Sequence, residues 1–185
     1  MNKAELIAYF EGIDCALRSQ ATLYIYGSAA CMLLDEPERI SLDLDVAGPY
    51  SSADQGDLRR AAEAAGLPVN PDTDYAGDHI EWVGPLRLCL RPPEKGEGIT
   101  LWQGERLRIE TGSIADLVAS KLIRYDDLDR SDIQYLLSSS RLPFRAIAAA
   151  AARLPPPFAD DVLVRQNLDH LQEDMAIWGL ESGGI

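Results

Sequence analysis

Two aspartates one residue apart, Asp43 and Asp45, lie in the stretch Ile40-Ser41-Leu42-Asp43-Leu44-Asp45-Val46-Ala47. Apolar and polar residues alternate from Ile40 to Ala47, the period of a strand with one dry and one wet face. Residues i and i+2 of a strand project from the same face, so the two carboxylates point together, several ångströms apart. Like charges held that close repel one another unless a cation intervenes. Hard carboxylate oxygens at this spacing suit Mg2+, which takes one or two carboxylates together with substrate phosphate oxygens. A wet strand face on which aspartate is merely tolerated satisfies the same pattern.

The second group with chemical potential is Gly27-Ser28. It follows the β-prone run Leu23-Tyr24-Ile25-Tyr26 and precedes Ala29-Ala30-Cys31-Met32-Leu33-Leu34, which has the texture of a buried helix. A helix start presents unpaired N–H groups to an anion, glycine lets a phosphate approach the backbone, and the Ser28 hydroxyl adds a donor. The spacing is neither that of a dinucleotide fingerprint nor that of a P-loop, and a plain tight turn is the alternative. No G-x-S-x-G elbow surrounds Ser28, so it is a poor nucleophile.

The elements that must position these residues follow from periodicity and punctuation. Leu6, Ile7, Phe10, Ile13 and Leu17 recur at helical spacing within Asn2 to Gln20. Pro37 ends the short helix after Ser28, and Gly48-Pro49 closes the aspartate strand. Ser51 or Ser52 is the expected cap of a helix over Asp57 to Ala65, with Gly66 as its stop. Pro68 to Gly77 has loop composition. Four strand candidates come next: Ile80–Val83, Leu86–Leu90, Ile99–Trp102 and Leu107–Glu110, with hairpin turns expected at Gly84-Pro85 and Gln103-Gly104-Glu105. From Ile114 onward the pattern is helical, over Ile114–Ile123, Asp129–Leu137, Phe144–Arg153 and Asp160–Trp178. Pro143, Pro155-Pro156-Pro157 and a loop at Ser138-Ser139-Ser140 separate these helices. The expected architecture is α+β: a mixed sheet flanked by helices over residues 1–112, and a C-terminal helical subdomain over 113–185 packed on it.

Composition sets outer limits. The chain has 185 residues, 46% of them hydrophobic, with 17 Lys+Arg against 30 Asp+Glu and a net charge of −13. That balance weighs against an extended grip on DNA, which needs clustered cations, but leaves room for one nucleotide or one RNA end. No apolar run approaches the roughly 20 residues of a membrane span. Cys15, Cys31 and Cys89 are scattered without C-x-x-C pairing. With no export signal at Met1-Asn2-Lys3, they are expected to be reduced thiols of a cytoplasmic protein. His79 and His170 are too few and too far apart for a histidine metal site.

Taken together, Tyr26-Gly27-Ser28, a short helix, and Arg39-Ile40-Ser41-Leu42-Asp43-Leu44-Asp45 resemble the nucleotidyltransferase superfamily of DNA polymerase beta type. More narrowly, they are similar to small bacterial nucleotidyltransferase-like proteins, some of which are toxins of abortive-infection toxin–antitoxin pairs. Asp116-Leu117-Val118-Ala119-Ser120-Lys121-Leu122, with Asp129 and Asp132 after it, resembles the helical Lys-Leu-x-Ala-x-Arg-x-x-Asp-x-x-Asp segment of those proteins. The resemblance implies Mg2+-dependent transfer of a nucleoside monophosphate from an NTP to an acceptor hydroxyl on a small molecule, a tRNA end or a protein. Asp43 and Asp45 would hold the metal, Gly27 and Ser28 the β- and γ-phosphates, and Lys121 would add a positive charge to the phosphates. Arg39 would neutralise the aspartate pair or serve as a surface ion-pair partner, and pairing with Asp116 or Asp126 is the alternative for Lys121.

Two departures from the family pattern matter. Such a transferase needs a third carboxylate on a neighbouring strand, and Leu86–Leu90 carries Cys89 where an inward acid would sit. Glu81 and Glu110 are the remaining strand acids. Glu81 is preferred because its strand is expected nearest the Asp-x-Asp element, an exposed strand glutamate beside Trp82 being the alternative. The arginine of the helical segment is replaced by Asp126. A decayed fold serving as a protein- or nucleotide-binding regulatory module is therefore the competing reading.

Overall fold

A computed structural model describes residues 1–94 and 96–180. Among them are five strands and seven α-helices. They fall into two compact units: Met1–Leu88 with Pro93–Thr111, and Cys89–Pro92 with the chain from Gly112 onward. The first unit carries all five strands and α1 to α3, and the second carries α4 to α7.

In the first unit, α1 (Lys3–Ala16) starts at a capping box. The Asn2 side chain accepts from the Glu5 N–H at 3.0 Å, and the Glu5 carboxylate accepts from the Asn2 N–H at 2.7 Å. Leu6, Phe10 and Ile13 bury one stripe of it, as their spacing predicts. Strand β1 (Ala21–Tyr24) runs into α2 (Gly27–Leu33), and β2 (Asp43–Ala47) follows. Then come α3 (Gln55–Ala65), β3 (His79–Val83), β4 (Ile99–Gln103) and β5 (Leu107–Thr111).

β5 lies between β1, to which it is parallel, and β4, to which it is antiparallel. β2 and β3 form a separate parallel pair. An antiparallel bridge between Ile25 and Val46, with the Tyr26 N–H donating to the Asp45 carbonyl at 3.1 Å, ties that pair to the end of β1. Leu23, Ile25, Leu44, Val46, Ile80 and Ile109 are fully buried and form the apolar layer beneath the strands.

Several sequence expectations are corrected. The aspartate strand starts at Asp43 rather than Ile40. β3 begins opposite Asp43, so ahead of it the pairing thins to the His79 N–H on the Leu42 carbonyl at 3.1 Å, and Ile40 and Leu42 stay 66% and 63% exposed. The α3 cap is Asp54, which accepts from the Asp57 N–H at 2.8 Å. Ser51 is spent on Tyr24 and Ala47, and Ser52 bridges Thr22. Leu86–Leu90 is not a strand. Gly84 to Arg87 makes a turn closed by the Arg87 N–H on the Gly84 carbonyl at 3.1 Å, so no hairpin forms at Gly84-Pro85. The hairpin at Gln103 to Glu105 is present, joining β4 and β5.

That hairpin turn is clasped by Asp14 on α1. Its carboxylate accepts from the Glu105, Arg106 and Leu107 N–H groups at 3.0, 2.7 and 2.7 Å. Gly104 makes room: a Cβ there would lie 2.4 Å from the Asp14 carboxyl carbon. Burial pushes the Asp14 pKa up, but the three backbone donors and Arg106 outweigh it and hold the group below the usual carboxylate range. A carboxyl whose pKa is lowered by folding stabilises the fold above its unfolded pKa and loses that contribution as pH falls through the folded value. Asp14→Asn is expected to cost about 1.5–3 kcal/mol at neutral pH. Urea denaturation of both proteins should show the gap closing as pH drops below about 4.

The second unit contains α4 (Ile114–Lys121), α5 (Asp127–Ser140), α6 (Phe144–Ala151) and α7 (Val162–Ile177). α4 packs on α5 and α6, and α7 on α6. Ser113, Asp126 and Asp161 cap three of these helices through their side chains. The expected loop at Ser138 to Ser140 is instead the last turn of α5. Its hydroxyls bond back to carbonyls three and four residues earlier, which keeps serine compatible with a helix. Buried Arg91 pairs with Asp116 at 2.6 Å, and Ser113 donates to the same carboxylate at 2.6 Å. Cys89 is buried, and its surroundings together with Asp161 push the thiol up to about 12. No described helix is long and apolar enough to cross a membrane.

Candidate metal centre

Asp43 and Asp45 come to one face of β2 because Leu44 and Val46 between them are drawn into the apolar layer. The parallel register then sets Glu81 of β3 opposite Asp45, while Ile80, opposite Leu44, lies on the dry side. The three carboxylates each offer an oxygen within 4.8 Å of the other two, and all three residues are half-buried. Carboxylates gathered this closely form a donor set of hard oxygens, of the kind that fits a divalent cation. Glu110, the other strand acid considered, pairs with Arg108 at 2.7 Å instead.

Gly27 closes the site on the α2 side. It has φ +68°, and a Cβ built on it would stand 2.5 Å from Asp45 Oδ2. The absent side chain is thus what lets the corner after β1 come down beside the aspartate. Ser28 follows, and its hydroxyl accepts from Arg39 Nη2 at 2.5 Å, which leaves its own O–H available to donate. α2 has only seven residues, so the expectation of an anion on its dipole is weak. The chemistry of this corner rests on bare backbone, one hydroxyl and one guanidinium.

The structure therefore brings Gly27, Ser28, Arg39, Asp43, Asp45 and Glu81 into one unit. Lys121 lies in the other unit and is 6% exposed. Its ammonium meets Asp129 at 3.0 Å and Asp132 at 2.6 Å, not the Asp116 or Asp126 of the alternative reading. The Lys121 ammonium is engaged by both carboxylates, and Asp129 accepts from Arg124 as well, at 2.8 and 2.9 Å.

Compared with protein-family models, curated proteins and solved structures, the chain gives no match.

Two neighbours of the site, Ser41 and Arg87, were not assigned to it from the sequence. Ser41 donates to Asp43 Oδ1 at 2.8 Å and so fixes that carboxylate's rotation. The i, i+2 spacing from Ser41 to Asp43 was the available signal. Arg87 donates from Nη2 to Glu81 Oε1 at 2.6 Å. It sits six residues away across the Gly84 to Arg87 turn, and the expected strand there concealed it.

Proposed function

We propose that the protein is a divalent-metal-dependent nucleotidyltransferase that moves a nucleoside monophosphate from an NTP to an acceptor hydroxyl, with Mg2+ as the resident ion. The observation that carries this reading is the convergence of Asp43, Asp45 and Glu81 beside the side-chain-free corner at Gly27. Asp43 and Asp45 would hold the metal, with Glu81 completing the oxygen donors. When bound, the ion polarises the phosphoryl group and offsets charge developing on the leaving pyrophosphate.

The remaining work falls to the chain. The bare backbone at Gly27 admits a phosphate oxygen, Ser28 donates its O–H to it, and Arg39 holds Ser28 in place while adding positive charge. A Glu81 carboxylate oxygen accepts the proton of the attacking hydroxyl, since it is the carboxylate on the strand neighbouring the pair. The cluster in the proposed nucleotidyltransferase-like core operates without Lys121. A role as one half of a toxin–antitoxin pair, acting on a tRNA end or a protein, belongs to the same proposal.

Thermal melting with Mg2+ and each NTP tests it. At a ligand concentration near a hundred times Kd, mass action stabilises by about 2.7 kcal/mol, expected as a rise of about 5–10 °C in Tm. Asp45→Ala is expected to fold but show no rise. No shift of the wild type with any NTP would favour the decayed, protein-binding module instead.

A further inference from the structure

The Glu81 carboxylate has two claimants. One of its oxygens belongs to the three-carboxylate cluster, and Oε1 accepts from the Arg87 guanidinium at 2.6 Å. Arg87 is 74% exposed and is carried on the turn from Gly84 to Arg87, whose next residue back, Leu86, is 92% exposed. Both Glu81 and Arg87 line a cleft of about 350 Å3, together with Asp72, Tyr75, His79 and Trp82. The guanidinium therefore has open space into which it can swing. Asp43 is held by Ser41, a neutral donor that satisfies a carboxylate without adding charge. Arg87 differs from Ser41 in kind, because it brings a full positive charge to the cluster that a divalent cation would enter.

We propose that Arg87 is a built-in competitor for the third carboxylate: a divalent cation completes its coordination on Asp43, Asp45 and Glu81 as the guanidinium leaves Glu81 for the cleft. The proposal rests on the metal-binding reading above. A guanidinium beside Glu81 repels an arriving cation and holds one of the two oxygens of a carboxylate in the cluster. It also neutralises part of the cluster's self-repulsion while no ion is bound. The cation affinity of the cluster is thereby set below what its three carboxylates alone would give, and a ligand in the cleft that draws Arg87 away would raise it by linkage.

Mn2+ binding to the full chain, read from the free-ion electron paramagnetic resonance signal, tests this in wild type, Arg87→Gln, Arg87→Lys and Asp45→Ala. Removing the charge in Arg87→Gln is expected to tighten Mn2+ binding by about threefold to tenfold, the size of a solvent-screened charge effect. Arg87→Lys, which keeps the charge, is expected to stay near wild type, and the gap between wild type and Arg87→Gln should shrink as NaCl is raised. Equal or weaker Mn2+ binding by Arg87→Gln, with binding lost in Asp45→Ala, would overturn the competitor role and leave the metal centre standing. Absence of Mn2+ binding from every one of these proteins would overturn both. Melting each variant without metal confirms that a lost signal reports the site and not an unfolded chain.

Discussion

Lys121→Met is expected to destabilise the helical unit by about 3–5 kcal/mol, enough to consume much of the stability of an ordinary domain. The ammonium lies between Asp129 and Asp132, which are 3% and 1% exposed. Removing it takes the ammonium away from two buried carboxylates that lie near one another, with Arg124 still donating to Asp129. Burial pushes Asp129 up, but hydrogen bonds from Arg124 and the charge of Lys121 hold it below the usual carboxylate range. Without Lys121 a large part of that compensation goes, and Arg124 is left to offset the burial of Asp129. Urea denaturation followed by circular dichroism should report the loss. Hydrogen exchange should place it in α4 and α5 before the strands. A double variant, Lys121→Met with Asp132→Leu, is expected to recover a substantial part, because replacing a buried pair by apolar groups of similar size is commonly close to neutral. Failure of Lys121→Met to destabilise would mean that the ion cluster is hydrated and of little consequence.

The second large effect is expected at Gly27. An alanine there meets a left-handed backbone, which costs an L-residue about 1–2 kcal/mol. Its methyl group would also stand 2.5 Å from Asp45 Oδ2. Crowding of that kind typically adds about 1–3 kcal/mol, and here the group that must yield is a carboxylate of the candidate metal centre. Gly27→Ala should therefore lower the melting temperature and also abolish any Mg2+- and NTP-dependent rise. Gly66→Ala, at φ +83° with only the Tyr9 ring edge near its Cβ, is the matched control. It shares the backbone penalty and leaves the aspartates untouched, so the ligand-dependent rise should survive in it. A Gly27→Ala protein that keeps a full ligand response would detach the glycine corner from the site.

Much of the first unit was legible because local pattern and tertiary demand agree there. The stripe Leu6, Phe10 and Ile13, and the alternation through Asp43-Leu44-Asp45-Val46, each point one way and are used that way. The choice of Glu81 over Glu110 rested on an expected neighbourhood, and the register of β3 on β2 supplies it, although a turn rather than a hairpin follows β3. Other features were hidden for physical reasons. Leu86 to Leu90 is apolar enough for a strand, but Pro85 and the Gly84 to Arg87 turn divert it, and Leu88, Cys89 and Leu90 are buried without a ladder. Ser138 to Ser140 has loop composition, yet its hydroxyls satisfy carbonyls of their own helix. The partners of Lys121 lie 8 and 11 residues further on, across a turn whose geometry no local pattern specifies. A lysine in a helix gives no advance notice of being buried.

The strand order carries a consequence for how the chain emerges from a ribosome. β5 occupies the middle of the three-stranded sheet, between β1 and β4, yet it is the last of the five strands to be made. Until Thr111 has left the exit tunnel, β1 has no strand on the side that β5 will fill, and Asp14 has no turn to clasp. Nascent chains arrested before that point hold an open strand edge, the kind of surface on which chains stick to one another. Assembly of this unit is accordingly a late, all-at-once event in translation, and the helices from Ile114 onward are threaded out only after it can begin.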